Sequence, residues 1–179
     1  MTDRQIRLGV AGLGRAFTLM LPTFAADPRI SLVAATDLRA EARARFEKDF
    51  AARTYDNVEA LCADPEIEAV YIATPHQTHA SHVAVAASHG KHVLVEKPMA
   101  ITLDECREMI AAAQRAGVQL IIGHSHSFNA PVLRARQLIG HPARGFVPRR
   151  DRAGNAIGEP IQRARNLFLL PARLAAGVR

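Results

Sequence analysis

Glu96 and Lys97 follow an apolar run, HVLV (92–95), and Pro98 comes directly after them. A buried strand gains no packing from an adjacent carboxylate and ammonium, because desolvating an unpaired charge is costly. A lysine at such a strand tip could hydrogen-bond to an alcohol oxygen, or exchange a proton with it, while a hydride leaves the adjacent carbon. Lys97 is therefore a candidate functional residue. The alternative is a surface ion pair that ends the strand.

A glycine turn, GLGRAF (12–17), follows the first apolar run of the chain. Gly12 suits a tight turn, and Gly14 lets the backbone approach a pyrophosphate. A helix beginning near Arg15 and Ala16 would present free N–H groups and the positive end of its dipole. This is the start of a G-x-G-x-x-G dinucleotide motif, but its third glycine is replaced by Phe17. We therefore expect the helix to sit slightly displaced from the strand.

An acidic residue, Asp37, ends the second apolar run at the position where a carboxylate accepts hydrogen bonds from the adenosine ribose. This favours NAD as the cofactor. Arg39 could instead pair with a 2′-phosphate, which leaves NADP open. The alternative role for Asp37 is to cap a helix over 39–52.

Strand-like and helix-like patterns alternate through residue 124. The strands and helices that they predict must position Lys97, the glycine turn and Asp37. Five short aliphatic runs bounded by turn signals predict buried parallel strands, at 6–12, 30–36, 68–74, 91–96 and 118–123. Helical segments lie between them, with capping patterns at 56–59 and 102–105 and a terminal glycine at Gly117. The alternation predicts an α/β fold with a doubly wound parallel sheet, that is, a Rossmann fold.

The net charge of +6 comes from the end of the chain. Residues 141–179 hold 8 of the 23 basic residues and 2 of the 17 acidic ones, which leaves 15 of each in residues 1–140. Neither an aromatic platform nor a recognition motif accompanies the arginines, so we expect no nucleic-acid partner. Two widely spaced cysteines and no long apolar run predict a cytoplasmic protein without a membrane partner.

Three stretches together resemble the Gfo/Idh/MocA family of NAD(P)-dependent oxidoreductases, over about residues 5–138: GVAGLGRA (9–16), ATPHQTH (73–79) and above all GKHVLVEKP (90–98). A fourth stretch, GHSHSFNAP (123–131), is similar to the branch of 4,5-dihydroxyphthalate dehydrogenases. The resemblance implies hydride transfer between a nicotinamide and a sugar, polyol or cyclic diol. It also implies that Lys97 is the active-site lysine and that its bond to Pro98 is often cis.

The resemblance adds further residues to the predicted cofactor site. Thr74 and Pro75 would line the nicotinamide ribose pocket, Glu96 would lie at the cofactor edge, and His79 is the family's recurrent histidine. The full predicted site is Gly12, Gly14, Arg15, Ala16, Asp37, Arg39, Thr74, Pro75, His79, Glu96 and Pro98, with Lys97 catalytic. His76, His79 and His82 recur every three residues, but no carboxylate completes a ligand set, so we predict no metal.

Residues after 140 show no sign of the family's second α/β domain, which supplies substrate contacts, a proton-relay partner and usually the subunit interface. We predict a Rossmann domain over 1–140 and an Arg/Pro/Gly-rich tail over 141–179 that is disordered or translated in a shifted reading frame. A homo-oligomer is expected only if a complete second domain exists. The alternative function is therefore a cofactor-binding module without turnover.

Overall fold

A six-stranded parallel sheet forms the centre of the fold. The computed structural model describes residues 4–139, 149–150 and 156–157. The strands lie in the order β3-β2-β1-β4-β5-β6. They are β1 (Ile6–Ala11), β2 (Ile30–Thr36), β3 (Arg53–Tyr55), β4 (Ala69–Ile72), β5 (His92–Val95) and β6 (Leu120–Ile122).

Helices cover both faces of this sheet. They are α1 (Arg15–Ala26), α2 (Ala40–Phe50), α3 (Val58–Ala63), α4 (His79–Ser88) and α5 (Leu103–Ala116). One apolar cluster joins Phe17 and Phe24 of α1 and Phe46 of α2 to the sheet, and a second joins α3, α4 and α5 to the opposite face. The central strands are therefore apolar on both sides, as parallel strands between two helical layers must be. The predicted doubly wound fold is confirmed.

Each predicted strand overlaps an observed strand, but the observed strands are one or two residues shorter at most ends. The sixth strand, β3, was not predicted, because three residues are too few to show a periodic pattern. Its backbone pairs with β2, from Ala34 to Thr36.

Two capping predictions had opposite outcomes. Thr102 accepts a hydrogen bond from the Glu105 backbone (3.2 Å), while Glu105 accepts one from the Thr102 backbone (2.9 Å), so the predicted capping box of α5 is confirmed. The predicted Asp56 and Glu59 cap of α3 is wrong. Asn57 accepts the bond from the first turn, at 2.8 Å, and Asp56 pairs with Arg43 at 3.0 Å instead.

The chain divides into two compact units, residues 1–125 and 126–179. Within the second unit the structure describes α6 (Ala130–Ile139) and an antiparallel pair, β7 (Arg149–Arg150) and β8 (Ala156–Ile157). The other residues of the predicted tail lie outside the described residues, and the predicted boundary at 140 stays a prediction. Among the described helices, none is both long and apolar enough to cross a membrane.

Candidate functional site

The glycine turn lies between β1 and α1, at the carboxyl edge of the sheet. Gly12 has a φ of +95°, and a Cβ there would lie 2.7 Å from the carbonyl oxygen of Ala73, so both conformation and space require glycine. Gly14 is different. Its φ is −84°, which any residue can adopt, and a Cβ there would meet nothing within 4 Å. The space beside Gly14 is therefore open to a ligand.

The amino end of α1 faces this open space. Gly14 is the N-cap of the helix and has no side chain to bond the first-turn N–H groups, which begin at Arg15 and Ala16. No acidic residue occupies the first turn. The free N–H groups and the helix dipole make this end suited to an anion such as a phosphate.

A groove of about 540 Å³ begins at this turn and runs between α1 and α2. Gly14, Arg15 and Arg39 all line it. Phe17, which replaces the third glycine of the motif, is buried on the core side of α1, with its ring 5.9 Å from that of Phe46.

Asp37 comes directly after β2 and is tied to the glycine turn. Its Oδ2 accepts a hydrogen bond from the Leu13 backbone N–H at 2.8 Å, and its Oδ1 accepts one from the Arg39 backbone at 2.9 Å. The Arg39 guanidinium donates to both oxygens, at 3.0 and 3.2 Å. Burial alone would raise the pKa of the Asp37 carboxyl, but these hydrogen bonds outweigh it and hold the pKa below its ordinary value.

The Arg39 side chain therefore occupies two of the four acceptor positions of Asp37. A ribose hydroxyl can bind the carboxylate only after this guanidinium moves away, which its exposed position allows. The alternative role of Asp37 as a helix cap is not what the structure shows. Arg39 is the N-cap of α2, and that helix has no side-chain cap bond.

Thr74 and Pro75 follow β4 and begin a 3₁₀ turn, His76–Thr78. The Thr74 hydroxyl lies 3.1 Å from Nδ1 of His82 and accepts a hydrogen bond from the Thr78 hydroxyl at 2.9 Å. Burial, and then the neighbouring His79, lower the pKa of His82 below its ordinary value. A neutral His82 has one bare ring nitrogen, and in the tautomer that leaves Nδ1 bare it accepts the Thr74 proton.

His79 is almost completely buried, at 1% exposure. Its Nε2 lies 3.0 Å from the Thr74 carbonyl oxygen and its Nδ1 lies 3.0 Å from the Pro98 carbonyl oxygen. Both ring nitrogens therefore face the backbone, which leaves neither for direct contact with a cofactor. Within the described part of the chain, no cluster of three or more potential metal ligands forms around these histidines or elsewhere.

Glu96, Lys97 and Pro98 follow β5 at the same edge of the sheet. Glu96 accepts a hydrogen bond from the hydroxyl of Tyr71, on β4, at 2.7 Å. Burial, together with this bond, raises the pKa of Tyr71, which therefore stays a donor. Lys97 is exposed, and its ammonium has no hydrogen-bond or ion-pair partner among the residues that the structure describes. The bond between Lys97 and Pro98 is cis, as the resemblance implied.

The sheet order puts these groups in a line. Asp37 follows β2, the glycine turn follows β1, Thr74 follows β4 and Lys97 follows β5, which are four neighbouring strands. The line crosses the switch point between β1 and β4, where doubly wound sheets bind ligands. Fold and site together define a dinucleotide-binding α/β domain of the Rossmann class.

Comparison with known proteins then gives the family. The family model described as "Oxidoreductase family, NAD-binding Rossmann fold" (GFO_IDH_MocA) matches residues 6–124. The chain belongs to this Gfo/Idh/MocA oxidoreductase family and carries its Rossmann domain, whose cofactor is a nicotinamide dinucleotide.

One curated relative is 1-carboxy-3-chloro-3,4-dihydroxycyclohexa-1,5-diene dehydrogenase of Comamonas testosteroni. It is 56% identical over 143 residues, which are 79% of this chain and 36% of the relative. This chain therefore spans only about a third of the length of that relative.

Two solved structures with bound cofactor are also similar. The WlbA dehydrogenase from Bordetella pertussis, in complex with NADH and UDP-GlcNAcA, is 31% identical with a TM-score of 0.70, over 78% of this chain and 39% of that chain. Biliverdin reductase from Synechocystis, in complex with biliverdin and NADP⁺, is 31% identical with a TM-score of 0.67, over 75% of this chain and 43% of that chain. Relatives thus bind either nicotinamide cofactor.

Three residues with a part in this edge were missed by the sequence analysis: Leu13, Tyr71 and His82. The Leu13 contribution is a backbone N–H, which no side-chain pattern reveals. Tyr71 lies inside an apolar run, so its sequence position indicated an ordinary core residue. Its hydroxyl in fact donates to a carboxylate 25 residues later in the chain. His82 was considered only as a metal ligand, and its spacing from Thr74 gave no sign of their contact.

Proposed function

We propose that this chain binds NAD(H) or NADP(H) along the carboxyl edge of its sheet and supports hydride transfer at the carbinol carbon of a small ring diol. The observation that carries the proposal is the line of Asp37, the glycine turn, Thr74 and Lys97 over four neighbouring strand ends. A dinucleotide that binds at a switch point lies extended across such strand ends, with adenosine at one end and nicotinamide at the other.

The adenosine half is assigned to β1 and β2. The pyrophosphate would lie beside Gly14, on the amino end of α1, where the structure leaves open space. The adenosine ribose would then reach Asp37. NAD is favoured because a carboxylate accepts bonds from ribose hydroxyls and repels a 2′-phosphate. Arg39 supports NADP as the second candidate, because once released from Asp37 it can pair with that phosphate.

The nicotinamide half is assigned to β4 and β5 and would lie beside Thr74 and Glu96. When bound, the oxidised ring accepts the hydride from the carbinol carbon of the substrate. Lys97 is the proposed catalytic residue, because its ammonium is exposed at this end and is bound to no other described group. In its amine form, Lys97 would take the hydroxyl proton as the C–H bond breaks and the carbonyl forms, and in reduction it would return that proton.

The proposed substrate class is a carboxylated cyclohexadiene diol. The support is the printed name of the Comamonas relative, together with the resemblance of residues 123–131 to dihydroxyphthalate dehydrogenases. A sugar or polyol is the second candidate class. We propose no nucleic-acid or membrane partner.

Turnover of a carboxylated cyclohexadiene diol, followed by nicotinamide absorbance with NAD⁺ and with NADP⁺, tests this proposal. Lys97→Met should lower the rate by about 10²- to 10⁴-fold, the usual contribution of a general acid–base group, while keeping cofactor affinity. Lys48→Met is the matched control, since Lys48 is exposed on α2 and away from the edge.

The outcomes separate the two functions considered. Turnover that depends on Lys97 supports the oxidoreductase. Cofactor binding without turnover supports the alternative, a cofactor-binding module. Turnover that Lys97→Met leaves unchanged would reject the assigned role of this lysine.

A further inference from the structure

The two loops that would hold the nicotinamide half are joined by one buried side chain. His79 is the first residue of α4, and its ring lies between the backbone after β4 and the backbone after β5. Nε2 is 3.0 Å from the Thr74 carbonyl oxygen, and Nδ1 is 3.0 Å from the Pro98 carbonyl oxygen. We call this arrangement the His79 bridge.

The chemistry of the bridge is restrictive. A backbone carbonyl only accepts hydrogen bonds, so each of the two bonds requires an N–H on the facing nitrogen. A neutral ring, with one N–H, donates to one carbonyl at a time, and a ring with two N–H groups donates to both. Without the ring, two part-buried carbonyls lose this donor.

Thr74 is held by its side chain as well as by its carbonyl. Its hydroxyl lies between the Thr78 hydroxyl (2.9 Å) and Nδ1 of His82 (3.1 Å). The two loops follow β4 and β5, which are paired with Ile72 opposite Val95. The distance between the first residues of the two loops is therefore fixed by the sheet. The bridge then fixes that separation above the sheet, where no strand hydrogen bonds reach.

We infer that His79 is a positioning residue that sets the width of the nicotinamide half of the site through the Thr74 and Pro98 carbonyls. This inference rests on the proposed function, because that function assigns these two loops to the nicotinamide. His79 would act without touching the cofactor, and its removal would affect one half of the dinucleotide and spare the other.

The test compares NADH with ADP-ribose, which keeps the adenosine and pyrophosphate parts and lacks the nicotinamide. Dissociation constants are measured for the wild-type chain, His79→Ala and His79→Gln, with His89→Gln as control. His89 lies at the other end of α4 and pairs with Glu59 at 2.6 Å. All titrations are done well below each variant's Tm, so that the folded fraction is the same.

We expect His79→Ala to raise the dissociation constant of NADH by about tenfold, while that of ADP-ribose changes by less than about twofold. Added imidazole should restore NADH binding to His79→Ala, and His79→Gln, which has one donor end, should fall between. Equal changes for the two ligands, or none for either, would overturn the inference. If the wild-type chain binds neither ligand, the proposed function itself fails, which is a different result.

A measurement on the wild-type chain covers the case in which His79→Ala does not fold. In ¹⁵N spectra of the imidazole rings, His79 should show a ring N–H that exchanges slowly with solvent, because the ring is buried between the two loops. A His79 ring N–H that exchanges as fast as that of the exposed His76 would overturn the bridge.

Discussion

Replacing Gly14 with valine puts a branched side chain into the space beside the amino end of α1. The backbone there has φ −84° and ψ −160°, which valine adopts readily, and a Cβ at this position meets no atom within 4 Å. The only folding penalty is the poorer N-cap, about 1 kcal/mol. For a domain of this size that lowers the Tm by roughly 3 °C.

The same substitution should abolish dinucleotide binding. The valine methyl groups occupy the volume through which a pyrophosphate would reach the first-turn N–H groups. NADH fluorescence titration should therefore show no saturable binding to Gly14→Val, and circular dichroism should show a native helix signal.

Gly12→Ala is the matched comparison and should behave in the opposite way. A φ of +95° disfavours any side chain by about 1–2 kcal/mol. The new Cβ would also lie 2.7 Å from the Ala73 carbonyl oxygen, which is backbone and cannot rotate away. A total of about 3 kcal/mol or more follows, with a Tm lower by roughly 8 °C. The reasoning is refuted if Gly14→Val binds NADH as wild type does, or if Gly14 proves more costly to replace than Gly12.

Three further predictions concern side chains at the same edge. Arg39→Ala frees acceptor positions on Asp37 and removes a cation that could pair with a 2′-phosphate. In fluorescence titrations, NADH affinity should rise by about threefold and NADPH affinity should fall by about tenfold. A parallel change for both cofactors would argue against this pairing. Tyr71→Phe leaves Glu96 without its hydroxyl donor and should lower the free energy of unfolding by about 1–2 kcal/mol in urea, and an unchanged midpoint would count against the bond. Burial, and then His79, lower the pKa of His82, so the folded state resists protonation while the unfolded chain takes up a proton near the ordinary value of 6.5. Stability should therefore fall as the pH drops below about 6.5, and less so in His82→Gln; identical pH profiles would contradict this assignment.

Much of the fold could be predicted because its signals are local. The apolar runs, the Thr102 capping box and Gly117 each depend on residues within a few positions of one another. The strand β3 and the Asn57 cap were missed. The strand is too short to show periodicity. Asn57 follows Asp56, which is an equally good capping residue by type but pairs with an arginine 13 residues away.

The candidate site could be predicted as a set of positions, but its internal contacts could not. The glycine turn, Asp37 and Lys97 follow apolar runs, so a parallel sheet brings them to one edge. The bond between Tyr71 and Glu96 depends on strand register, which single-strand patterns do not encode. The pairing of Asp37 with Arg39, and the two carbonyls facing His79, depend on rotamers that only the packed structure defines.

The central claim is that this edge of the sheet binds a nicotinamide dinucleotide. Titration of the 179-residue chain with NADH and with NADPH, followed by nicotinamide fluorescence, tests it most directly. The account predicts saturable binding of one cofactor per chain, tighter for NADH, and weakened by Asp37→Ala. A folded chain that binds neither cofactor would contradict it.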